Sequence, residues 1–206
     1  MPARDIQHET MQLYRTLVDL CDDWGGKLVL LHGTGCVSTG APPAVSIANG
    51  TTLAIDSDGP AMKSAQRAGY LDFVVNSIDE ALRALKNEVR QKRPLSVGLI
   101  ADVQATLAEM AERGVQPDLN LTPDAPERPL PNSSEHFFAA ADATALRKID
   151  TALLALILPG DLVRCHWILR APQFLREARS GGRWIWLSDD ELAALAAQGL
   201  TPSQSP

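Results

Sequence analysis

The run His32-Gly33-Thr34-Gly35-Cys36-Val37-Ser38-Thr39-Gly40 gathers an imidazole, a thiol, three hydroxyls and three glycines within nine residues. Glycines spaced in this way turn a chain tightly and let backbone N–H groups approach an anion. The chemistry on offer is the cradling of a phosphate at a helix N-terminus. Gly33, Gly35 and Gly40, with donors from Thr34, Ser38 and Thr39, form the candidate cradle. A strict dinucleotide fingerprint places its third glycine at position 38, where serine stands, and Gly40 follows two residues later. A tight turn with no ligand is the alternative reading of the same residues. Asp56 lies 21 residues beyond Gly35. An acid there accepts hydrogen bonds from a ribose diol and repels a 2′-phosphate, which favours NAD+ over NADP+. Asp56, Ser57 or Asp58 can also cap a helix opening near Pro60, and the two roles are compatible. Cys36 at a helix N-terminus would gain thiolate character, or it is a small residue tolerated in the turn. His32 is a candidate general base, or a strand-end histidine bonded to nearby backbone.

The elements around this run have the order that positions such a cradle. Lys27–Leu31 is an apolar strand before the turn, and Thr51–Ile55 is a second strand that ends on Asp56. Strand, glycine turn, short helix, strand and acid together make a dinucleotide-type βαβ unit. Ahead of it, Asp5 to Trp24 predicts a helix with Met11, Tyr14, Leu17, Val18 and Cys21 on one face, ended by Gly25-Gly26. Beyond it the alternation repeats. Helices are expected at Pro60–Ala68, Ser77–Gln91 (with a Ser77/Glu80 capping box) and Asp102–Arg113; strands at Leu71–Val75, Leu95–Ile100 and from Pro117. Repeated units of this length predict an α/β fold, a doubly wound parallel sheet with ligand at the carboxyl edge of its strands.

Four prolines between 123 and 131 mark a linker. The expected organisation is therefore a binding domain over 1–122, a proline-rich linker over 123–134, and a reduced helical segment with one short strand over 135–206. In that last segment a helix is expected from Glu135 to about Leu158, another capped by Asp161, a strand at Arg183–Leu187, a helix opened by a Ser188/Glu191 capping box, and a frayed tail from Thr201. His166 reads as a packing residue. Trp184 and Trp186 share a strand face, where they stack on a ligand or fill a core.

Composition narrows the class. The chain has 206 residues, 45% apolar, with a net charge of −6. The acidic balance and scattered basic residues argue against a nucleic-acid partner. Three widely separated cysteines give no zinc spacing and suit a reducing, cytoplasmic compartment. The first residues lack the apolar stretch of a signal peptide, and no apolar run approaches membrane-spanning length.

The chain also resembles the NAD-binding central domain of the urocanase (urocanate hydratase) family. The resemblance is carried by Gly26–Leu30, Gly40-Ala41-Pro42-Pro43, Leu53–Asp58, Gly69-Tyr70-Leu71-Asp72, Pro94–Leu99 and Glu112–Asp118, in order and at matching separations. It covers roughly residues 10 to 131, with a further echo at Arg183–Ser188. It implies a Rossmann-like fold, a tightly bound NAD+ acting as an electrophile in the hydration of urocanate, a place in histidine breakdown, and a homodimer. Departures qualify what is carried over. Cys36 replaces one of two adjacent glycines, and Asp56 stands for a ribose-holding glutamate. Asp102-Val103 replaces an Asn-Ala pair, and Pro123–Glu127 replaces a donor-rich segment. The catalytic cysteine falls near Leu175. The separate domain that builds most of the family's substrate pocket has no counterpart in these residues.

The leading expectation is a nucleotide-binding protein, with NAD+ as cofactor through Gly33, Thr34, Gly35, Ser38, Thr39, Gly40 and Asp56, that does not hydrate urocanate alone. One alternative is a trimmed lyase using NAD+ chemistry on an imidazole-like or unsaturated acid, with Cys36 or His32 recruited. Another is a non-catalytic interaction module that has lost the cofactor and pairs with a completing subunit.

Overall fold

Alternation within the first strand decides the layering. In β1 (Leu28–His32), Val29 and Leu31 enter one buried cluster while Leu28 and Leu30 enter another. Successive side chains of a strand point to opposite faces, so a strand apolar at every position must be covered on both. A computed structural model describes residues 5–33, 35–122, 134–157 and 160–203.

β1 pairs in parallel with β2 (Thr51–Asp56), with Leu30 opposite Leu53. β2 pairs with β4 (Leu95–Ile100), and β4 pairs with β3 (Phe73–Val75). On its other side β1 pairs with β5 (Leu119–Leu121). The sheet order is β3-β4-β2-β1-β5, all parallel. The chain leaves β1 toward β2 and later returns to the far side of β1. The carboxyl end of β1 is therefore the switch point at which such sheets open a crevice. This is the doubly wound, Rossmann-like sheet that the strand–helix alternation predicts.

One face is covered by α4 (Ile78–Gln91) and α5 (Val103–Glu112), through Ile78, Ala81, Leu85 and Met110. The other carries α1 (Ile6–Leu20), α2 (Ala41–Ile47) and α3 (Gly59–Ala68). On this second face the core continues without a break into the C-terminal segment, from Met11 and Val45 to Trp167 and Leu187.

Several element ends differ from expectation. α1 stops at Leu20 and does not run to Trp24. The chain turns back at Cys21, and the Trp24 indole donates to Leu17 O at 2.8 Å, satisfying a carbonyl of the last turn. Asp22 and Asp23 would have extended the helix against its own dipole. The Ser77/Glu80 capping box does not form: Ser77 is the N-cap but makes no side-chain cap bond, and Asp79 of the first turn pairs instead with Arg113.

The largest correction lies beyond the proline-rich stretch, whose residues 123–133 fall outside the described residues. The expected helix from Glu135 begins as a strand, β6 (Ser134–Ala139), antiparallel to β7 (Gly182–Leu187) with Phe137 opposite Trp184. Aromatic residues such as Phe137 and Phe138 favour a pleated, half-buried surface. The helix starts later, as α6 (Ala143–Ile157), where the Asp142 carboxylate accepts the N–H groups of Thr144 and Ala145. α7 (Leu162–Phe174) is capped by Asp161, and α8 (Asp189–Ala197) opens with the expected Ser188/Glu191 box. The tail is not frayed at Ser203, whose N–H donates to Phe137 O at 2.7 Å. None of the described helices is long and apolar enough to cross a membrane.

Candidate functional site

The glycine turn leaves β1 at its carboxyl end, as its position in the sequence requires. Gly33 (φ 108°) and Gly35 (φ 81°) both take the left-handed backbone that only glycine adopts freely. Cys36 N–H donates to Gly33 O at 3.1 Å, and Cys36–Ser38 form one turn of 3₁₀ helix. Thr34 and the side chain of Ser38 lie outside the described residues. The Thr39 hydroxyl donates to Cys36 O (2.9 Å) and accepts from Ala41 N–H (3.3 Å). Pro42 and Pro43 occupy the first turn of α2, and Ala44 N–H donates to Gly40 O.

Asp56 is brought to this turn by the β1/β2 pairing. It is 5% exposed. One carboxylate oxygen accepts Gly35 N–H at 3.2 Å and the other accepts Asp58 N–H at 2.9 Å. Capping of α3 falls to Asp58, which accepts Ala61 N–H at 2.9 Å. The turn and the acid picked out by their spacing therefore do meet, and they meet by bonding to each other. Beside them a cleft of about 300 Å³ is lined by Val37, by Ala61, Ser64, Ala65 and Ala68 of α3, and by Tyr70.

The two candidate reactive side chains are differently placed. Cys36 is buried, and its thiol donates toward Ile55 O at 3.9 Å. Burial first, then the Asp56 carboxylate, push this thiol up to about 12. A protonated, enclosed thiol cannot attack a substrate at neutral pH, so the geometry speaks against Cys36 as a nucleophile. His32 ends β1 half-buried, and its ring has no hydrogen-bonding partner among the described residues to orient it as a base. The local backbone bond expected for it is not formed among the described residues.

At the neighbouring strand end, Asp102 caps α5 by accepting Ala105 N–H at 2.8 Å. Leu175 is wholly buried as the C-cap residue of α7. His166 is exposed, not packed, while its neighbours Cys165 and Trp167 are buried. Trp184 and Trp186 are core residues facing α1. The Trp184 ring stacks on His8 at 4.0 Å and its indole N–H donates to Asp5, and Arg15 lies over Trp186 at 4.9 Å.

One polar cluster escaped the sequence reading. Glu135 of β6 bonds His8 (2.6 Å), Arg15 (2.7 Å) and Gln12 (3.2 Å), all on α1. Their spacing of four and three residues is a helix stripe, which was a signal in itself, but the acid that gathers them is over a hundred residues away. His8 first, with Arg15 and Gln12, holds the Glu135 carboxyl below its ordinary range against the cost of partial burial.

The five strands of the sheet, the glycine turn and Asp56 all lie within one stretch that matches a known family. Residues 8–124, more than half of the chain, match the urocanase Rossmann-like domain. The chain belongs to the urocanase family.

Proposed function

We propose that this chain is a nucleotide-binding member of the urocanase family that does not hydrate urocanate by itself, and that its ligand contact is the ribose of an adenine nucleoside at Asp56. One observation carries the reading. The Asp56 carboxylate is fixed at the rim of the glycine turn by Gly35 N–H, at the carboxyl edge of the sheet. Each of its oxygens accepts one N–H, which leaves acceptor capacity for a diol. NAD+ is the cofactor that the family implies, and Gly33, Thr34, Gly35, Ser38, Thr39, Gly40 and Asp56 are the residues through which it would be held. Their fit is uneven: Asp56 suits the adenosine end, whereas the first turn of α2, with Pro42 and Pro43, offers a pyrophosphate few donors. No step of a reaction is therefore routed through the cofactor.

Absence of hydratase activity is supported by Leu175, buried where the family resemblance puts the catalytic cysteine, and by the buried neutral thiol of Cys36. Together these weigh against a trimmed lyase that recruits Cys36. Three free thiols are compatible with a cytoplasmic location. A second reading, an interaction module completed by another subunit, is favoured by the exposed Leu162, Val163 and Leu169 on α7.

The test has two arms. Urocanate absorbance is expected to stay constant when protein, urocanate and NAD+ are mixed, and its loss would contradict the reading. Adenosine is expected to move the Gly35 and Asp58 amide signals in an ¹⁵N-correlated spectrum, and 2′,3′-dideoxyadenosine is not. Equal responses, or none, would remove the ribose contact.

A further inference from the structure

The phosphate cradle of a dinucleotide fold consists of unused N–H groups at a glycine turn and at the first turn of the following helix. In this chain four of those groups are spoken for. Gly35 N–H is taken by Asp56, Cys36 N–H by Gly33 O, Ala41 N–H by the Thr39 hydroxyl, and Ala44 N–H by Gly40 O. Pro42 and Pro43 have no N–H to give. α2 is seven residues long and buried at every position, so it offers no open helix end.

Sterics and charge point the same way. A Cβ at Gly40 would lie 2.5 Å from Thr10 N and 2.7 Å from Thr10 Cα, so the backbone of α1 rests directly on the turn. Real Cβ atoms do not come so close to backbone, and neither chain can yield without moving a helix. The described loops at the carboxyl edge of β1, β2, β3 and β4 contain Asp56, Asp58 and Asp102, and no lysine or arginine. A pyrophosphate placed there would face carboxylates with no cation in those described loops to offset them.

We infer that the glycine turn of this chain is a closed internal clasp, in which Asp56, Thr39 and the α1 backbone at Thr10 occupy the roles of a ligand, and that it excludes the pyrophosphate of NAD+. The glycines are then retained for packing. Gly40 lets α1 sit on α2, and Gly33 and Gly35 let the turn reach Asp56.

The clasp makes a statement about the ligand-free protein that a cofactor site does not. If Gly40 served only a bound dinucleotide, Gly40→Ala would leave the melting temperature of the free protein unchanged. The clasp instead predicts a fall of about 5 °C or more, because the new methyl meets the α1 backbone. Millimolar NAD+ is expected to leave the melting temperature of the parent protein unchanged. Thr39→Val, which removes the acceptor of Ala41 N–H and little volume, is expected to fold with a smaller decrease, and it carries the test should Gly40→Ala fail to fold. A saturable rise in melting temperature with NAD+ would overturn the inference, and so would melting of the folded variants like the parent. The adenosine titration is independent of these results. A response to both adenosine and NAD+ overturns the clasp and leaves the ribose contact standing. A response to neither supports the clasp and removes the ribose contact.

Discussion

Asp56 illustrates what residue type and spacing can and cannot reveal. Its distance from Gly35 and its place after an apolar strand mark it as the acid of a dinucleotide unit, and parallel pairing of β1 and β2 does bring it to the turn. Sequence could not reveal that the acid would bond the turn itself, because spacing along a chain does not say which donor an acceptor will face. Cys36 was similarly visible as a thiol in a turn. Its burial depends on how α2 and α3 close over it, which no local pattern records. That burial has a pH consequence. The folded state holds the thiol up to about 12, above its ordinary range, so the protonated form stabilises the fold. This contribution is fully present below the ordinary thiol range, near pH 8.5, and is lost as pH rises toward 12. The Tyr14 hydroxyl, raised by burial, and the Tyr70 hydroxyl, raised by partial burial and by its bond to Glu177, act with the same sign at higher pH. The melting temperature is therefore expected to fall as pH rises from 8.5 to 11. Cys36→Ala should fall less steeply over that interval than the parent; parallel slopes would refute the assignment.

Among the elements, those with a strong local signature were legible and those defined by a distant partner were not. β4 was read to the residue, and Ser188 and Glu191 announced α8 through a box that forms as expected. β6 was misread as helix because its periodicity is short and its register comes from β7, some fifty residues later. Glu135, which gathers His8, Gln12 and Arg15, is one tie of this two-stranded ribbon to α1, beside the bonds of Gln7 to Gly182 and Trp184. A carboxylate held below its ordinary range contributes stability that is present above that range and disappears as pH falls through the folded value. Glu135→Gln is expected to lower stability at neutral pH by about 1–3 kcal/mol, the scale of charge-assisted hydrogen bonds. It should also flatten the acid limb of the stability curve below about pH 5. Urea denaturation of both proteins from pH 3 to 7 checks this, and an unchanged acid limb would contradict it.

At the scale of the whole molecule, a five-stranded parallel sheet of the Rossmann-like kind is formed, and the inferred clasp closes its cofactor edge with the chain's own groups. The sheet was predictable because its strands are apolar, short and punctuated by glycine and proline. The closure was only partly foreseeable: Pro42, Pro43 and Asp102 stand in plain sight, whereas the seating of Thr10 on Gly40 requires α1 to be placed first. On the same face one continuous core joins the sheet's helices to α6, α7 and the ribbon. Large conformational opening of the turn would therefore have to break that core. The most direct test is an ¹⁵N-correlated titration of the protein with NAD+, following the amides of Gly33, Gly35, Cys36 and Ala41. The closed clasp predicts that these signals stay in place up to millimolar NAD+. Saturable movement of the four together would show that a pyrophosphate enters the turn, and would contradict it.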